Sequence, residues 1–141
     1  MNTKRWIVAS LVAFIIISVL EYTFHNHCLK TLYEATASLW RPEAEMSKLV
    51  PYGMLLHLAV AFLLGYIYAR GYQDKPSRLG EGVRFGLILG LFTSLPMAGW
   101  SYIAMPVPFQ LALYWFLMGM VEFLIVGGVI GLIYKKYLLL Q

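Results

Sequence analysis

The stretch LALYWFLMGMVEFLIVGGVIGLIY, residues 111–134, is apolar except for one carboxylate, Glu122. A helix over it rises about 1.5 Å per residue and is long enough to cross the roughly 30 Å hydrocarbon layer of a bilayer. An ionisable group at the bilayer centre costs roughly 2.5 kcal/mol or more if it faces lipid, so such a group turns toward a protein interior or a wet cavity. This stretch makes the chain an integral membrane protein with a polar interior.

Three further apolar runs lie upstream, at about residues 6–24, 52–69 and 82–105. They are continuous rather than alternating, which predicts spanning helices and excludes barrel strands. The expected fold is all-α: a four-transmembrane-helix bundle with a short amphipathic outer segment, forming a single integral membrane domain over residues 1–141. Only 13% of residues are charged and 60% are hydrophobic, against about 25% charged in a soluble domain.

Basic residues give the orientation. Lys4, Arg5, Arg70, Lys75, Arg78, Arg84, Lys135 and Lys136 flank the spans on one side. Lys30, Arg41 and Lys48 lie on the other. The positive-inside rule then places both termini in the cytoplasm. The net charge of +4 is thus a topology signal. No separate basic domain exists to suggest a nucleic-acid partner. The first run is long for the apolar core of a cleaved signal peptide. Cys28 is alone, so no intrachain disulfide is expected.

The first loop, residues 25–51, has room for structure. Leu29, Leu32, Tyr33, Thr36 and Trp40 recur at helical spacing, which predicts an amphipathic helix on the outer surface with Trp40 as an interfacial anchor. Pro42 suits the first turn of a new helix, with Glu43 and Glu45 at its favourable end, and Pro51 is expected to end that piece. The second loop is a short polar turn that includes Asp74. The tight Pro106-Val107-Pro108 loop makes the last two spans antiparallel neighbours. Gly82, Gly86 and Gly90 recur every fourth residue, as do Gly127 and Gly131. Both sets are expected to serve close helix packing, within the chain or against a second copy. Pro96 removes one backbone donor and predicts a kink, with Thr93 and Ser94 bonding locally.

Glu21 and His57 join Glu122 as candidate binding or proton-linked residues. At about 1.5 Å per residue, all three can line one cavity in the outer half of the bundle. Glu122 reads either as a neutral hydrogen-bonding group or as a proton, cation or substrate site. His57 reads as a hydrogen-bonded interior residue or a proton acceptor. Glu21, His25 and Cys28 share a face if the first helix continues, and these donors suit zinc or a similar metal. Trp100, Tyr102, Tyr114 and Trp115 read mainly as interface aromatics, with an apolar ligand pocket as the alternative.

The stretches from Tyr33 to Met46 and from Glu81 to Gly86 resemble those of small bacterial four-helix membrane proteins of unestablished activity. That resemblance implies a bacterial inner membrane. The residues themselves point to a membrane protein that binds or transports a small solute, cation or proton. The alternative is a non-catalytic accessory subunit of a larger membrane complex. No nucleophile–base pair or phosphate loop marks an enzyme, and no cofactor is expected. The expected partners are the lipid bilayer and either a second copy or another membrane protein.

Overall fold

Asn2 starts the first helix by accepting the Arg5 N–H at 3.2 Å on its side-chain oxygen. The computed structural model describes residues 1–73 and 75–135. The order is α1 (Thr3–Thr23), a π-helical turn (Phe24–Cys28), α2 (Lys30–Ala35), a 3₁₀ turn (Ala37–Leu39), α3 (Glu43–Gly71), α4 (Arg78–Ala104) and α5 (Phe109–Ile133). Four of these helical stretches are long and apolar enough to cross a membrane. The fold is therefore the expected all-α four-helix bundle. Asp74 of the second loop and Lys136 of the basic flank lie outside the described residues.

The start of the second span differs from the sequence reading. The second span begins at Glu43, and Pro51 sits inside its helix instead of ending it. A helix of 29 residues is roughly 44 Å long, so its first turns project beyond the hydrocarbon layer. Pro51 is exposed there, and water can satisfy the carbonyl that the proline ring leaves unpaired. The third span runs through Pro96, as its apolar run suggested, and α4 ends at Ala104. Thr93 Oγ1 donates to the Leu89 carbonyl at 2.7 Å, one turn before the proline.

Close approach of backbones organises the bundle. In α4 and α5, an added Cβ at Gly82 would meet the Gly127 carbonyl, and one at Gly86 would meet the Phe123 carbonyl. The repeated glycines thus serve contact within one chain. The small residues Ala9, Ser10 and Ala13 of α1 are buried, and Gly65 of α3 faces Ser10 and Trp6. Trp6 Nε1 donates to the Phe62 carbonyl at 3.2 Å. The core where α1, α3 and α5 meet holds Ala13, Ile17, Leu64, Val126 and Ile130.

One end of the bundle gathers both described termini. Arg5 and Arg78 donate to the Ile133 and Leu132 carbonyls at 3.1 and 3.2 Å. Cations there satisfy orphan carbonyls and oppose the dipole of α5. Glu81 pairs with Arg84 at 2.8 Å, and Lys75 joins it at 2.9 Å.

At the other end the outer segment folds onto the start of α5. Leu29 is fully buried with Val107 and Leu111. Trp40 is half-buried and donates to Thr36 Oγ1 at 2.9 Å, with its ring against Trp115. The apolar periodicity of this segment therefore meets protein, where a lipid interface was expected. Spacing alone does not distinguish the two surfaces.

Candidate functional site

Glu21 lies in the last full turn of α1, and His25 follows four residues later in the π-helical turn. His25 Nε2 is 3.0 Å from Glu21 Oε2, with the two side chains 42% and 36% exposed. On its other side, His25 Nδ1 is 2.7 Å from the Tyr33 hydroxyl. Trp115 Nε1 of α5 donates to that hydroxyl at 2.8 Å.

These distances set the direction of each hydrogen. Indole N–H is only a donor, so the Tyr33 oxygen accepts from Trp115 and its own hydrogen is free for His25 Nδ1. With the imidazole neutral, the ring proton then resides on Nε2 and points at Glu21. Burial above all, with a lesser push from the Glu21 charge, raises the Tyr33 phenol above its ordinary pKa despite the opposing Trp115 bond. It therefore remains a donor at physiological pH.

Glu122 approaches from α5. Its carboxyl lies beside that of Glu21, and His57 is near enough to Glu21 to interact with it. A hydrogen bond between two carboxyl groups needs one proton, because two carboxylates are both acceptors only. The first and last spans thus bring two acids together inside the bundle, with His25 Nε2 aimed at Glu21. Among the described residues, Glu122 Oε2, His57 Nδ1 and Ser18 Oγ are buried without a hydrogen-bond partner. A buried polar atom left in that state costs about 1–3 kcal/mol.

A cleft of about 1500 Å³ opens beside this network, bounded by Glu21, His25, Trp40, Met46, Met97 and Trp115 among others. The binding residues read from the sequence are therefore close together, but on two levels. Glu21 lines the cleft, whereas Glu122 and His57 do not. The set Glu21, His25 and Cys28 reduces to the first two. Leu29 N–H bonds the Phe24 carbonyl five residues back, and this widened turn breaks the register that a continuous α-helix would give. Cys28 is exposed. Among the described residues, no group of three His, Cys, Asp or Glu side chains is placed to hold a metal ion.

Tyr33 and Ser18 were not singled out from the sequence as site residues. Tyr33 reads there only as part of an apolar face, and Trp115 as an interface aromatic. Their bond joins positions 82 residues apart, and no local spacing announces it. Tyr33→Phe should leave the Trp115 N–H and His25 Nδ1 without their partner and destabilise this end of the bundle by about 1–3 kcal/mol. Thermal unfolding in detergent, followed by tryptophan fluorescence, measures that loss.

No protein-family model, curated protein or solved structure matches this chain.

Proposed function

We propose that this protein binds a proton or small cation at the paired carboxyls of Glu21 and Glu122 and exchanges it across the outer half of the membrane. The observation that carries this reading is the meeting of two acids from the first and last spans. The hydrogen-bonded line from Trp115 through Tyr33 and His25 to Glu21 supports it by linking a part-exposed imidazole to the interior. An isolated structural acid needs one good partner. Here a second acid is supplied, with neighbouring polar atoms that the protein does not satisfy. No catalytic step belongs to this reading. A bacterial inner membrane with cytoplasmic termini fits the resemblance and the basic flank.

The test is proton exchange in liposomes containing the purified protein, read by an enclosed pH-sensitive dye under an imposed cation gradient. The wild type should equilibrate the dye faster than empty liposomes. Glu21→Gln and Glu122→Gln, each nearly isosteric, should reduce that excess rate by about tenfold or more, the scale of one charge-assisted contact. Unchanged exchange in both variants, with insertion intact, would reject the proposal.

A second reading, an accessory subunit, draws on the outer parts of α3 and α4. Gly53 and Gly99 have no neighbouring atom within 4 Å of an added Cβ, and Phe92, Trp100 and Ile103 are largely exposed. Such a subunit should co-purify with a partner that shields Gly99→Cys from a membrane-permeant thiol reagent.

A further inference from the structure

The cleft beside Glu21 is much larger than a proton or inorganic ion requires. Ligand pockets for drug-sized molecules are about 300–1,000 Å³, and this one reaches about 1500 Å³. We propose that its occupant is an amphiphilic organic cation that enters from the outer leaflet between α3 and α4. This proposal rests on the carboxyl-pair reading above and names its substrate class.

The lateral opening follows from how the helices pair. α3 packs mainly on α1, and α4 mainly on α5. Leu55 and Leu56, in the apolar part of α3, are exposed, and so are Phe92, Leu95 and Met97 of α4. The outer halves of these two helices therefore flank a gap that faces lipid. A molecule entering there must first reside among acyl chains, so part of it must be apolar.

The wall chemistry selects a cation. Tyr33, Trp40 and Trp115 present aromatic rings, and Met46, Met97 and Met118 present adaptable thioethers. Aromatic faces attract cations, and methionine moulds to varied apolar shapes. The charges on the rim largely cancel: Lys30 lies 3.9 Å from Glu34, and Arg41 lies 3.6 Å from Glu45. Of the remaining lining acids, Glu43 lies at the start of α3, and Glu21 with His25 forms the polar end of the wall. Their place near the outer end of α1 is the depth at which the charged head of an amphiphile lies. An anionic amphiphile would bring like charge against Glu21.

Tetraphenylphosphonium is a suitable probe, with tetraphenylborate as its anionic counterpart of similar shape. Equilibrium dialysis of the full chain in detergent, corrected for protein-free micelles, should show saturable binding of the phosphonium alone. Glu21→Gln should weaken it by about tenfold or more, the scale of one charge-assisted contact. Trp40→Ala should weaken it as well, with both variants checked for intact folding by size-exclusion chromatography. Equal binding of both probes, or phosphonium binding that survives both substitutions, would overturn the proposal. Glu122-dependent proton exchange without phosphonium binding would overturn it while leaving the carboxyl-pair reading in place. A disulfide between copies formed in high yield by Val50→Cys with Met97→Cys would overturn it too, by showing that a second chain fills the gap.

Discussion

Gly86→Leu should prevent the protein from reaching a monodisperse folded state in detergent. The position faces backbone: even a Cβ there would run into the Phe123 carbonyl, with the Leu124 Cα at 3.1 Å. Backbone cannot rotate away as a side chain can, so the two helices must separate. The separation also lifts Gly82 from Gly127 and Gly131, whose contacts lie one and two turns along the same seam. Overpacking usually costs about 1–3 kcal/mol, and a clash with main chain in a seam should reach the top of that range or exceed it. Lipid provides no compensating hydrophobic force, because helices associate there through close packing. Gly99→Leu is the matched control. It has the same chemistry on the same helix, but nothing lies within 4 Å of the added Cβ. It should fold like the wild type. Equal behaviour of the two variants in size-exclusion chromatography and thermal unfolding would show that the glycine seam does not hold the hairpin.

The second large loss should come from Tyr134→Ala at the opposite end. Tyr134 is fully buried and follows α5 directly. Its ring lies 6.0 Å from that of Tyr68 and 5.3 Å from that of Tyr72, both edge-on. Its hydroxyl accepts the Asn2 N–H at 3.2 Å. One side chain thus joins the start of α1, the end of α3 and the end of α5. Removing a buried aromatic costs about 3–5 kcal/mol, and the lost hydrogen bond strands a donor in addition. Tyr134→Phe keeps the ring and should cost only about 1 kcal/mol. Thermal unfolding of the three proteins separates the contributions. Equal losses for Ala and Phe would assign the stabilisation to the hydroxyl and contradict the packing account.

The spans were legible because bilayer thickness imposes a length and a composition that a single run such as residues 111–134 satisfies without help from other segments. The glycine seam was legible for a similar reason, since spacing of four fixes one helix face. What hydropathy could not give was the start of α3. Residues 43–51 are polar enough to leave the bilayer but remain helical, and a window that looks for apolar residues stops where water begins. The site was half legible. Glu21, His57 and Glu122 stood out by being titratable in apolar runs, and depth along the helices allowed them to line one cavity. Tyr33 and Trp115 had no such mark, because their roles depend on the outer segment folding back over α5. The loss of Cys28 from the proposed metal set turns on one five-residue hydrogen bond at Phe24, which ordinary helical spacing does not anticipate.

The pairing of Glu21 with Glu122 has a consequence for biosynthesis. A nascent chain leaves the ribosome from its N-terminus, so the helix bearing Glu122 is the last of the four to be inserted. Glu21 waits near the membrane surface, where water can still solvate it, and His57 is already in place. The deepest acid therefore enters only after its companions have been delivered, and the penalty of roughly 2.5 kcal/mol or more for a lone charge at mid-bilayer need never be met in full.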